Sequence, residues 1–277
     1  MLRPQDTATR ERKPLDGLWR FRVDVEGVGR EERWFAGPLQ RASDMAVPAS
    51  YNDLLDDPSL RDHVGEVWYQ RTVRVPRGWG GERIALYFES ATHRATVWVG
   101  DEEVVRHEGG YTPFEADITP VTAAGEVVRI TVCVDNRLSF QTIPPGVVEQ
   151  TTAGPRQRYW HDFYNYAGLH RTVWLACTPA SRIADITVVT GLDGDNGTVD
   201  YRVETDAADG LGVRVGLRDA AGALVGTATG AAGRVAVPDV HPWAPGDGYL
   251  YDLEVQLLDP AGALVDSYHQ SVGVRTV

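Results

Sequence analysis

The residues best equipped for chemistry lie together in His161-Asp162-Phe163-Tyr164-Asn165-Tyr166-Ala167-Gly168-Leu169-His170-Arg171. These eleven positions hold three aromatics, two histidines, an acid and an amide. The segment follows a polar loop and runs directly into the strand pattern Thr172-Val173-Trp174-Leu175-Ala176-Cys177. Flat apolar ring faces stack on aromatic side chains, and hydroxyls pair with carboxylates or carboxamides, so this mixture suits a sugar. The same residues also describe an aromatic cluster under a long loop, its polar groups bonded to backbone. Spacing alone leaves both readings open.

Other chemistries are weakened or excluded by pattern. There is no G-x-S-x-G, no phosphate-binding loop and no G-x-G-x-x-G after a strand. His93, His107, His161, His170 and His241 lack the spacing of a metal site, and no Cys-x-x-Cys is present. They read as structural histidines, and neither metal nor cofactor is expected. Acid pairs are too plentiful in a chain of net charge −12 to nominate a catalytic pair. Trp19, Trp34, Trp68, Tyr69, Trp79 and Trp98 are candidates for a sugar platform, but alternation within strands favours core packing. Asn196-Gly197-Thr198 matches a glycosylation sequon and reads as a hairpin turn.

The elements that must position these residues are strands almost throughout. From Thr72 the run Val67–Val75 alternates with period two, and Arg83–Phe88, Ala95–Val99 and Val127–Val134 read the same way. Gly- and Pro-rich turns separate them. A short helix is expected near Asn52-Asp53-Leu54-Leu55, and a long loop from about 140 to 160, where Pro144-Pro145 can carry a cis bond. Composition shifts near Pro179-Ala180-Ser181 from Trp- and Tyr-rich to Ala-, Gly-, Val- and Asp-rich. Beyond it come about seven short strands in roughly 95 residues, the count of an immunoglobulin-like sandwich. Asp219-Ala220-Ala221-Gly222 and Asp259-Pro260-Ala261-Gly262 read as one turn chemistry used twice.

Composition bounds the partners. The 277 residues, 43 % hydrophobic and 24 % charged, suffice for two globular domains. An acidic surface repels phosphate backbones, so no nucleic acid is expected. Cys133 and Cys177 sit in apolar strand-like runs and read as buried thiols. The polar start Met1–Asp6 lacks the apolar run of a signal peptide, and no apolar stretch approaches transmembrane length. A cytoplasmic protein with no membrane partner is the expectation.

Five segments occur in a telling order: Leu15-Asp16-Gly17-Leu18-Trp19, Val47-Pro48-Ala49-Ser50-Tyr51-Asn52-Asp53, Val67-Trp68-Tyr69-Gln70-Arg71, Gly109-Gly110-Tyr111-Thr112-Pro113-Phe114-Glu115-Ala116-Asp117-Ile118-Thr119, and His161 to Arg171. Together they resemble the N-terminal half of a β-glucuronidase of glycoside hydrolase family 2, along the whole chain. The resemblance implies an all-β chain: a jelly-roll, galactose-binding-like β-sandwich over 1–180 that binds sugar, then an immunoglobulin-like β-sandwich over 181–277. It implies a (β/α)8 barrel beyond them, carrying the two carboxyl groups, about 5–5.5 Å apart, of a retaining mechanism. The Asn-Glu-Pro motif of the acid/base is not found in these residues. No catalytic residue is therefore assigned here, and no turnover by this chain alone is expected. The resemblance assigns Asp162 a hydrogen bond to hydroxyls of a glucuronide ring, made with the barrel present. A carboxylate accepting from a hydroxyl is charge-assisted and orients the ring. His161, Phe163 and Asn165 would shape that loop, with Tyr166 and His170 packed beneath it. A homo-oligomer is implied for the full-length form, and a stand-alone carbohydrate-binding or assembly module is the alternative.

Overall fold

The computed structural model describes residues 1–152 and 154–276, which form an all-β chain in two compact units. The first unit spans Lys13–Ala176. Its elements in chain order are β1 (Glu11–Pro14), β2 (Gly17–Val23), β3 (Ser43–Val47), α1 (Tyr51–Leu54), α2 (Pro58–Arg61), β4 (Glu66–Arg74), β5 (Arg83–Phe88), β6 (Arg94–Val99), β7 (Glu102–Glu108), β8 (Phe114–Asp117), β9 (Val127–Asp135), β10 (Gly146–Thr151), β11 (Gly154–Tyr159) and β12 (Val173–Thr178). Two sheets make the sandwich: a six-stranded one ordered β3-β2-β4-β9-β6-β7 and a four-stranded one ordered β1-β12-β5-β8.

The central strands carry the reason for this stacking. In β4, four consecutive residues, Val67, Trp68, Tyr69 and Gln70, are buried, which requires cover on both faces of the sheet. On one face Tyr69 meets Phe21 at 5.0 Å between ring centroids, and Phe21 meets Tyr51 at 5.4 Å. On the other, the segment 34–39 forms a lid. Trp34 and Trp98 flank Trp68 at 5.7 and 5.4 Å, and Phe35 stacks on Trp98 at 4.8 Å. Buried Gln70 is satisfied by that lid, accepting from Leu39 N at 2.8 Å and donating to Gly37 O at 2.9 Å. Trp19, Trp68, Tyr69, Trp79 and Trp98 are all buried, so the aromatic set builds core rather than a platform.

The expected long loop is not a loop. β10 and β11 pair as an antiparallel hairpin, from Gly146↔Tyr159 to Thr151↔Gly154. The hairpin joins neither large sheet. Gln157 ties it down by accepting from Leu138 N at 2.7 Å and donating to Asn136 O at 3.2 Å. The cis bond in this region is Ile143–Pro144. The short helix forms at Tyr51–Leu54, and α2 follows it, capped by the Asp57 carboxylate on Ser59 N.

The second unit contains Cys177–Val277 together with Met1–Arg12. Its strands are β13 (Arg182–Asp193), β14 (Asn196–Asp206), β15 (Gly212–Arg218), β16 (Leu224–Thr229), β17 (Ala232–Val237), β18 (Tyr251–Leu258) and β19 (Leu264–Val272). They form sheets ordered β13-β14-β17 and β16-β15-β18-β19, the expected seven strands. Alternation is regular: Tyr251, Leu253, Val255 and Leu257 point inward against Val213, Val215, Leu217, Val199 and Val203. The repeated turns behave alike. Asp219 Oδ1 accepts from Ala221 N and Asp259 Oδ1 from Ala261 N, both at 2.9 Å. Gly222 and Gly262 take φ +83° and +84°, a conformation that favours glycine. The turn between β13 and β14 is centred on Gly194-Asp195, with Asn196 already paired to Asp193.

The sequence boundary assigns residues 1–12 to the first domain, whereas in the structure they pack with the second unit. Buried Arg10 explains this. Its Nε donates to Asp266 Oδ1 at 2.9 Å and its Nη2 to Oδ2 at 2.5 Å, with a further bond to Ile183 O at 2.6 Å. Thr9 Oγ1 and the Ile183 and Ser267 amides complete the fully buried Asp266 carboxylate.

Candidate sugar-contacting loop

The segment from Trp160 to Leu169 divides into an exposed tip and a buried root. His161, Asp162 and Phe163 are exposed at the tip, with the His161 and Phe163 rings 6.1 Å apart. Asp162 forms no hydrogen bond or ion pair with any described residue.

Asn165 begins the root, at 6 % exposure. Its Oδ1 lies 2.7 Å from His93 Nε2, so the imidazole donates there. Its backbone carbonyl accepts from Asn52 Nδ2 at 2.9 Å. Asn52 in turn accepts the Ala167 amide on Oδ1 at 3.0 Å, while Tyr164 Oη donates to Asn52 O at 2.7 Å. Ser50, just before α1, accepts the Ala167 amide as well, at 3.0 Å. Asn136, at the end of β9, donates to Tyr51 Oη at 2.7 Å and His63 O at 2.8 Å and accepts from Gly65 N at 2.9 Å. Three carboxamides thus replace a regular ladder where the chain leaves the sheet, satisfying backbone groups that burial would otherwise orphan.

Gly168 closes the root. Its φ of +98° and the room around it both demand glycine. A Cβ there would collide with the Tyr69 hydroxyl and sit 2.9 Å from Tyr51 Cδ1. Gly168 O accepts from Thr92 N at 3.1 Å.

His93 and His170 are held toward the neutral form. Burial pushes the His93 imidazole below its ordinary pKa, against the opposing bond to Asn165. Burial, reinforced by the nearby Arg171 charge, lowers His170. The bonds of His170 suit one neutral tautomer. Ser90 Oγ donates to Gly110 O at 2.7 Å and so accepts from His170 Nε2, at 2.9 Å. Nδ1 then accepts from Thr92 Oγ1 at 2.7 Å. Tyr111 packs edge-on to the same ring at 5.3 Å. Burial likewise raises the Tyr51 and Tyr69 phenols, which stay protonated.

His170 packs beneath the loop as the sequence predicts, but Tyr166 does not. It is 41 % exposed, with its ring edge-on to Tyr164 at 5.2 Å. The anchors Ser50, Asn52, His93 and Asn136 were not singled out as site residues by sequence. The one available signal was the Val47–Asp53 segment. Phe140 and Trp160 stack at 5.8 Å while 75 % and 55 % exposed, leaving an apolar surface beside the tip. Among the described residues no group of three or more metal-ligating side chains converges, and no helix is long and apolar enough to cross a membrane.

Comparison with known proteins fits this architecture. The profile described as "Glycosyl hydrolases family 2, sugar binding domain" matches residues 12–179, and "Glycosyl hydrolases family 2" matches 181–275. A β-glucuronidase of Paenibacillus borealis is 48 % identical over 283 residues, covering 100 % of this chain and 47 % of the relative. The Canis lupus familiaris β-glucuronidase is 42 % identical, covering 100 % and 46 %. Among solved structures, a Lactobacillus rhamnosus β-glucuronidase superposes with TM-score 0.92 at 38 % identity, covering 99 % of this chain and 46 % of that one. The Ruminococcus gnavus β-glucuronidase in complex with D-glucuronic acid gives 0.93 at 34 %, covering 99 % and 48 %. The chain matches the N-terminal portion of these proteins and spans about half their length.

Proposed function

This chain belongs to glycosyl hydrolase family 2, and we propose that it serves as the non-catalytic, sugar-contacting portion of a β-glucuronidase. In this reading a retaining β-glucuronide hydrolase places its carboxyl pair on a barrel outside these residues. The two sandwiches support that barrel, and Asp162 accepts a hydrogen bond from a hydroxyl of the glucuronide ring. The observation that carries the assignment is the contrast within one loop. The Asp162 carboxylate is exposed and unengaged, while Asn165, three residues on, is locked by His93 and Asn52. A free carboxylate on an anchored loop is preorganised to orient a ligand. His161 and Phe163 flank it and shape the tip. The exposed Phe140–Trp160 pair belongs to the same reading, as a face covered by a further domain or by another subunit of a homo-oligomer.

The test is hydrolysis of a chromogenic aryl β-D-glucuronide by the purified 277-residue chain. No turnover is expected from a protein with a folded, β-rich spectrum. Turnover that survives repurification and disappears in Asp162→Ala would overturn the assignment, because these residues would then hold a carboxyl pair of their own.

A further inference from the structure

A cleft of about 580 Å³ opens between the β10–β11 hairpin and the turn from α2 to His63. That size falls within the range of small-ligand sites, roughly 300–1,000 Å³. Its walls include Tyr159 and Tyr164, whose ring faces can cover the apolar side of a pyranose. Asn52 and Asn136 also line it, their side-chain amides already bonded within the root. Its charge runs against the rest of the molecule. Its lining holds two arginines, Arg61 and Arg156, and one acid, Asp62, in a chain of net charge −12, with Glu149 across the hairpin from Arg156. Arg61 is already engaged, with Asp62 at 3.1 Å and Asp56 at 3.5 Å. Arg156 forms no ion pair with a described residue; its charge already acts on Asp62, and its planar guanidinium fork suits a carboxylate. The third basic wall residue, His63, is held toward the neutral form by burial and adds no competing charge.

We propose that this cleft is a second binding site, for a carboxylate-bearing saccharide, with Arg156 clasping the carboxylate and Tyr159 stacking on the ring. Asp162 is not part of its walls, so the site stands or falls independently of the role proposed for that residue. Tyr164 and Asn165 line the cleft and also form the root of the Asp162 loop, so occupancy would brace the loop from behind.

The experiment is a titration of the 277-residue chain with sodium D-glucuronate, followed by backbone amide shifts in nuclear magnetic resonance. D-glucose and sodium acetate serve as comparison ligands. Saturable shifts at Arg156, Tyr159 and Tyr164 are expected with glucuronate. Arg156→Gln weakens glucuronate about tenfold and leaves the weak response to glucose unchanged. Tyr159→Ala weakens both sugars, and Asp162→Ala changes neither. Arg156 is exposed, so its substitution leaves the fold intact. The proposal is overturned if no saturation is reached, or if shifts centre on residues 161–163 and vanish only in Asp162→Ala. It is equally overturned if acetate binds the cleft as tightly as glucuronate.

Discussion

Asn165→Ala is the sharpest probe of how the candidate loop is held. The substitution removes the acceptor of His93 Nε2, which lies 2.7 Å away in a site where His93 is 1 % exposed. Nδ1 of the same ring is buried without a partner in the structure, so both ring nitrogens would then be unsatisfied. An orphaned buried donor costs about 1–3 kcal/mol. The void left by a buried carboxamide adds about 1 kcal/mol. The 3.5 Å contact from Nδ2 to Asn136 O is too long to add much. The bond from Asn52 to the backbone carbonyl survives. The expected loss is about 2–4 kcal/mol, or roughly 5–10 °C in melting temperature for a unit of this size. The assay is urea denaturation of the wild type, Asn165→Ala, His93→Ala and the double variant. If the two side chains act through their mutual bond, Asn165→Ala costs about 1–2 kcal/mol less when His93 is already gone. Equal costs in both backgrounds would refute the reasoning and leave Asn165 a packing residue.

Three further outcomes are expected. Gly168→Ala combines a forbidden φ with a collision against the buried Tyr69 hydroxyl, and should cost more than about 3 kcal/mol, seen as insolubility or a collapsed melting temperature; an unchanged melting point would contradict the root geometry. His63, His93 and His170 all have lowered folded-state pKa values, chiefly through burial, so the unfolded chain binds more protons below their unfolded value of about 6.5. The stability they contribute is complete above that pH and is lost as pH falls through their folded values; urea midpoints measured from pH 8 to 5 should decline, and a flat profile would count against neutral, buried imidazoles. Arg10→Ala strands the buried Asp266 carboxylate and should cost about 3–5 kcal/mol, whereas Arg10→Met with Asp266→Leu should cost markedly less, as calorimetry can check.

What the sequence made legible is what period two encodes. β4, β5, β6 and β9 fall within a few residues of their expected spans, and the second unit has the expected seven strands, because each presents one face to a core. The 146–159 hairpin stayed hidden for a physical reason. It lies outside both large sheets and buries little, so Glu149, Arg156 and Arg158 erase the alternation that would announce strands. The membership of residues 1–12 rests on Arg10 reaching Asp266, a pairing across 256 positions that no local pattern carries. The candidate site divides the same way. The tip residues were named from their types and from the family resemblance. The root was not, since Ser50 and Asn52, His93 and Asn136 come from three separate places in the chain and meet only in the fold. Tyr166 was misjudged because its ring packs edge-on to Tyr164 at the surface, a contact that spacing does not show.

The most direct measurement joins residues 1–277 to the portion of the Paenibacillus borealis β-glucuronidase beyond its aligned region and assays hydrolysis of an aryl β-D-glucuronide. The account predicts that the chimera turns over and that Asp162→Ala lowers its kcat/KM by about 10- to 100-fold through one lost charge-assisted hydrogen bond, with the melting temperature unchanged. A folded chimera whose activity is indifferent to Asp162→Ala would contradict the assignment of that carboxylate to the sugar.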